Sequence, residues 1–151
     1  MTSAGQHADL GTRFVARIID ALIIGIPAWL ILYGIGLLTG ISPASMLMSK
    51  VIAPMLIAVA FTGYCVAQET SRGTTFGKRL VGLRVLAPGG HPPDAQTSLK
   101  RNLWAAAALV PCLGAVATLV LSIAVAVTIS QDPNGQGWHD RFAGGTQVVR
   151  T

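Results

Sequence analysis

Three apolar runs separated by polar chain dominate the hydropathy pattern. The first, residues 14–38, is "FVARIIDALIIGIPAWLILYGIGLL", 25 residues long. At about 1.5 Å per residue, a helix of that length crosses a hydrocarbon core of about 30 Å. A cleaved signal peptide has a shorter apolar stretch and a small-residue cleavage site after it. The pattern therefore predicts a retained transmembrane helix. The second run, 46–67, crosses Lys50, which can snorkel from the interface, and carries Pro54 near its start, where few internal hydrogen bonds are needed. The third, 103–130, has 28 residues divided unequally by Pro111 and Gly114. Two full crossings need about 40 residues. It is either one long, tilted, kinked span or a pair of short helices that dips in and returns.

Between the runs lie a Gly/Ser/Pro turn, "TGISPAS", and a polar segment, 68–102. The early part of that segment fits two readings. As a helix, Phe76, Leu80 and Leu83 share one face and Lys78 and Arg79 another, which makes an interfacial amphipathic turn. As a strand, "LRVLA" is short and runs into "PGGHPP", which is turn or extended chain. A short interfacial helix followed by a small strand or turn is expected. Residues 1–12 read as a flexible tail and 13–151 as one membrane domain.

Composition agrees. The 151 residues are 52% hydrophobic and 11% charged, against about 25% charged in soluble domains. Lipid, not water, must face much of the surface. The predicted fold class is all-α integral membrane: a small bundle of three apolar segments plus an interfacial helix and short strand segment. The formal charge of +5 does not point to nucleic acid, because the bases cluster between apolar runs. Arg13 and Arg17 flank the first run, the first turn has only Lys50, and the middle segment holds Arg72, Lys78, Arg79, Arg84, Lys100 and Arg101. By the positive-inside rule the N-terminus and the middle segment are cytoplasmic. In this setting Lys78, Arg79, Arg84, Lys100 and Arg101 are expected to contact anionic lipid headgroups, the bilayer being the one partner that composition implies. Cys65 and Cys112 sit singly inside apolar runs and are expected to be buried, reduced thiols.

The unusual feature is a carboxylate inside the first run. At about 100° per residue Arg13, Arg17 and Asp20 fall within one stripe of about 60°, and Arg17 and Asp20 are three residues apart, within reach of each other. An ionisable group in a membrane segment is a functional-site hypothesis by default. Two readings stay open: a helix-end salt bridge, or an acid facing the bundle interior that binds a cation or proton or pairs with a distant charge.

Three blocks resemble one family. They are "RFVARIID", "GTTFGKRLVGLRVL" and "GWHDRFAGGTQVV". The first places an arginine seven residues before an aspartate, the second resembles a G-x-T-x-GK-R-x-x-G-x-R-V signature, and the third an H-D-R-x-A-G-T-x-V-V ending. Together they resemble the RDD family of bacterial membrane proteins, named for one arginine and two aspartates, which here fall on Arg13, Asp20 and Asp140, with Arg17 as a supporting charge. An extra glycine in "AGGT" departs from the pattern. The resemblance implies a bacterial inner-membrane location and little chemistry: transport of an unknown ligand, with sodium/proton exchange in some members. It also implies that Asp140 lies near Arg13 and Asp20. That requires the tail to return to the side of the N-terminus, and favours the returning form of the third run, with Pro111 to Gly114 as its turn.

Other motifs carry less. "GTTFGK" has three residues between Gly73 and Gly77, not the four of a phosphate-binding P-loop, and Arg79 where Ser or Thr is needed. His139-Asp140 has no partner histidine in sequence; His7 is in the tail and His91 in a proline-rich turn. Asp140 is expected to bond Arg141 or Arg13, with no metal and no cofactor. Trp29, Trp104 and Trp138 read as interface or packing aromatics. No catalytic constellation is visible, so the chain is not expected to be an enzyme. Two functions remain: a small transporter or ion-exchange component, which needs oligomers to make a conduit, or an accessory or assembly subunit of a larger membrane complex.

Overall fold

A computed structural model describes residues 6–42, 45, 47–110 and 113–151. Helix α1 (Leu10–Thr39) is capped by Asp9, whose carboxylate accepts the Thr12 amide, and ends at Gly40 in the left-handed region. A π turn (Met48–Ile52) leads into α2 (Ala53–Arg72). Counting that turn, the second long helix runs Met48–Arg72, and the third is α5 (Gly114–Gln131). All three are long and apolar enough to cross a membrane, and only 6%, 6% and 11% of their most apolar windows are buried inside the protein. Apolar helices that bury so little against one another leave Leu30, Ile31, Val59 and Leu119 facing outward, as a chain dissolved in lipid requires. It is a membrane protein.

The second helix runs past the apolar stretch. Residues 68–72, predicted as polar connection, continue α2 because nothing breaks the helix before Gly73. That residue takes φ +68° and returns its amide to the Glu69 carbonyl. The extension carries Glu69 inward.

The polar segment then folds as α3 (Phe76–Leu80), β1 (Leu83–Leu86) and α4 (Ala95–Asn102), the short helix and strand expected. After α5 come α6 (Trp138–Phe142) and β2 (Gln147–Arg150). Strand β2 pairs antiparallel with β1, Val85 opposite Val148. The chain from Gln6 onward is not a loose tail. His7 bridges Val149, the Ala8 amide donates to the Val148 carbonyl, and the Arg150 amide donates to the Gln6 carbonyl. The open edge of β2 offers unpaired backbone groups, and the segment before α1 fills them. Ala8, Ala16, Leu83, Val85 and Val148 form the small core of this cap.

The third apolar run returns. Its first limb is a 3₁₀ helix (Leu103–Leu109), seven residues that rise only about 14 Å. It packs against α2 and α5, which shields backbone that lipid could not satisfy. A Cβ on Gly114 would lie 2.7 Å from the Ala108 carbonyl oxygen, so the two limbs meet closely there. Pro111 and Cys112, expected at this turn, lie outside the described residues. Helix α5 then comes back to the side it left: the Trp138 amide donates to Thr128 Oγ1 at 3.0 Å. The N-terminal segment, α3, β1, α4, α6 and β2 therefore share one end of the helices.

Candidate functional site: buried charges at one end of the helices

Asp20, nearly three turns into α1, is 1% exposed. It pairs with neither arginine of its stripe. Its carboxylate accepts from Tyr64 Oη at 2.8 Å, Thr75 Oγ1 at 2.5 Å and the Gly77 amide at 2.7 Å. The helix-end salt bridge is thus replaced by three neutral donors from α2 and the start of α3. The reason is backbone proximity. A Cβ on Gly77 would stand 2.2 Å from the Ala16 carbonyl oxygen and 2.9 Å from Asp20 Cγ. Only glycine lets α3 approach α1 this closely, and the approach aims an unpaired amide at the carboxylate. The "GTTFGK" segment does hold an anion, and that anion is the chain's own Asp20.

Arg17 turns the other way. Its guanidinium lies 4.2 Å from the Phe61 ring centroid and 4.9 Å from that of Trp104. It donates to Asn102 Oδ1 at 3.3 Å and to the buried thiol of Cys65 at 3.5 Å. No carboxylate among the described residues pairs with it.

Sequence reasoning missed the centre of the site. Glu69 is fully buried. It accepts from Lys78 Nζ, Arg101 Nη1 (3.1 Å), Ser98 Oγ (2.7 Å) and Asn102 Nδ2 (3.1 Å). Arg101 also donates from Nε to Asp140 at 2.7 Å, so one guanidinium bridges two acids. Asp140 further accepts from Thr146 Oγ1 at 3.0 Å, the Gly137 amide at 3.2 Å and Arg13 Nη1 at 3.5 Å. Arg13 and Asp140 are thus brought together, whereas Asp20 bonds to neither. Arg141, an alternative partner for Asp140, instead lies 3.9 Å from Asp132.

Two of the five bases expected at lipid headgroups are turned inward: the Lys78 and Arg101 side chains are 13% and 6% exposed. Arg79, Arg84 and Lys100 are exposed. The signal for Arg101 was present in the sequence. Ser98, Arg101 and Asn102, at spacing i, i+3, i+4, line one polar face of α4, while Leu99 points out. Such an inverted helix has its polar side in the core, and only a buried partner such as Glu69 explains it.

Burial alone would raise the Asp140 carboxyl, but Arg101, His139 and Arg13 outweigh it and hold it well below the usual carboxylate range. Burial also opposes the charge on Arg101, yet Glu69 and Asp140 raise it. His139 is pushed down to about 4, chiefly by burial. Its Nε2 is 3.6 Å from Asp140 Oδ1, too far for a hydrogen bond, and its Nδ1 has no partner among the described residues. A histidine that is neutral in the fold but titrates near 6.5 when unfolded favours the folded state above that pH. Stability is therefore expected to hold above pH about 6.5 and to fall by about 1.4 kcal/mol per unit toward pH about 4. Thermal midpoints at pH 7.5 and 5 check this, and His139→Gln is expected to flatten the difference.

Among the described residues no group of three or more His, Cys, Asp or Glu side chains gathers as a metal set. A cleft of about 540 Å³ runs between α1, α2, the 3₁₀ limb and α5, lined by Trp29, Tyr33, Ile57 and Phe61, with Arg17 among its walls.

The sequence model of the RDD family matches residues 7–144. No curated protein and no solved structure matches the chain significantly.

Proposed function

The chain belongs to the RDD family, and from that premise we propose that it is an accessory or assembly subunit of a larger membrane complex, working by binding rather than by chemistry. One observation carries the reading. Asp20 and Asp140, matched to the aspartates of the family, are 1% and 0% exposed, and their oxygens are already taken by fixed donors. An acid that loads and releases a cation needs a wet path, whereas these acids clamp the cap to the helices. On the same logic we assign it no catalytic role, the buried acids being spent on structural contacts.

On the Lys/Arg bias we place the N-terminus, the cap and the C-terminal tail in the cytoplasm of a bacterium, at its inner membrane. Exposed Arg79, Arg84 and Lys100 then meet anionic headgroups, each contributing about 1 kcal/mol. The test is purification from native membranes in mild detergent, with the chain reconstituted alone in parallel. One partner in fixed stoichiometry and no ion flux in proteoliposomes are expected. Cation exchange by the chain alone, abolished in Asp20→Asn, would overturn the proposal. The second reading, a small transporter or ion-exchange component built as a homo-oligomer, is favoured by the Arg17 cleft rather than by the aspartates; the same flux assay with Arg17→Gln decides it.

A further inference from the structure

The geometry points to a binding site for the phosphate head of an acidic bilayer lipid, in a second cavity between α1 and α5 at the charged end of the helices. This cavity measures about 170 Å³. Arg13, Arg17, Lys78 and Arg101 all line it, and no carboxylate does. Behind its wall the buried acids are Asp20, Glu69 and Asp140, so the four cations outnumber them by one. The surplus falls on Arg17. Glu69 takes Lys78 and Arg101, and Asp140 takes Arg101 and Arg13. Asp20 is held by neutral groups. Among the described residues Arg17 has only an amide oxygen, a thiol and two rings. A half-buried guanidinium without a counter-charge at a membrane boundary is costly, and an anion offsets that cost.

Position and shape choose the anion. Arg13 and Arg17 sit in the first two turns of α1, at the end where the cap leaves the helices, the level of lipid phosphates. The cavity is far below the roughly 300 Å³ of an organic-ligand pocket and suits a phosphate group, which guanidinium binds through paired donors. Much of its remaining wall is apolar: Phe14, 64% exposed, lines it together with Val125 and Ile129 of α5. A free phosphate gains nothing from such a mouth, but an acyl chain does. Arg17 and Trp104 are also shared with the 540 Å³ cleft, so a chain can follow the head inward.

Native mass spectrometry of the full chain in detergent, titrated separately with phosphatidylglycerol, phosphatidylcholine and inorganic phosphate, tests this. One phosphatidylglycerol per chain is expected, bound at least about tenfold more tightly than phosphatidylcholine. Arg17→Gln is expected to weaken it about tenfold, and Lys50→Gln, exposed at the opposite end of the helices, to leave it unchanged. Ala126→Phe fills the cavity from α5 without altering charge and is expected to lose the lipid too, which covers failure of Arg17→Gln to fold. Equal retention of the two lipids, displacement by inorganic phosphate at equal concentration, or a dimer in place of the lipid adduct would each overturn the assignment.

Discussion

Glu69→Gln is expected to lower the thermal midpoint of the detergent-solubilised protein by about 10 °C. The carboxylate is fully buried and joins α2 to α3 through Lys78 and to α4 through Arg101, Ser98 and Asn102. Glutamine keeps the shape but not the charge. Arg101 retains Asp140 at 2.7 Å, so the loss falls on Lys78, whose ammonium becomes a buried charge without an acid. Breaking a buried pair from one side costs about 3–5 kcal/mol, and each kcal/mol moves the midpoint of a chain this size by about 2–4 °C. The cause can be isolated. Lys78→Met added to Glu69→Gln removes the orphaned charge and is expected to recover most of the loss, giving a large coupling in the double-mutant cycle. A single mutant within about 2 °C of wild type, or strictly additive losses, would show that the ion pair does not hold the cap.

Gly77→Ala is expected to cost as much or more. Its Cβ would stand 2.2 Å from the Ala16 carbonyl oxygen, a backbone atom that cannot rotate away. Either α3 lifts off α1 or α1 bends. In both cases the Gly77 amide leaves Asp20, and a buried carboxylate loses one of three donors. Overpacking of about 1–3 kcal/mol and an unmet charged acceptor of at least about 1–3 kcal/mol add in the same direction. Hydrogen exchange at Phe76–Leu80 is expected to accelerate along with the fall in midpoint. Gly63→Ala on α2, whose Cβ would meet nothing within 4 Å, is the control and is expected to be neutral or slightly stabilising. Wild-type exchange in the Gly77 variant would mean that the close approach is dispensable.

Hydropathy revealed the membrane setting, the three apolar runs and the polar cap, because an apolar run of 25 residues has few other places to go, but not where the long helices end. The small β1 was marked as one of two readings by "LRVLA" running into "PGGHPP". The departure at Gly144-Gly145 costs the fold nothing. Both glycines adopt positive φ in the turn before β2, and the Asp140 carbonyl accepts the Gly145 and Thr146 amides, so the extra residue is absorbed ahead of the strand.

The pairing of charges was not legible. Spacing put Arg17 and Asp20 on one stripe, and a stripe shows who could meet, not who does. In three dimensions Asp20 found the amide of Gly77 and Arg17 found two rings. Glu69 looked like the first residues of a connection, yet it became the hub once α2 ran on to Gly73. The identity of each partner depends on α3, α4 and α6 converging from positions 9 to 127 residues away from the acids and bases they meet in α1, α2 and α4.

The sequence by itself determined that this chain lives in a bilayer, which ends of its helices carry charge, and which residues could be costly to bury. Hydrophobic length and local charge are additive properties of a segment, so they survive without a fold. Only the tertiary structure decided how the buried charges are distributed: Asp20 to neutral donors, Glu69 and Asp140 to a shared Arg101, and Arg17 to no acid among the described residues. That distribution depends on distances of about 3 Å between segments remote in the chain, where burial makes the presence or lack of a counter-charge worth several kcal/mol.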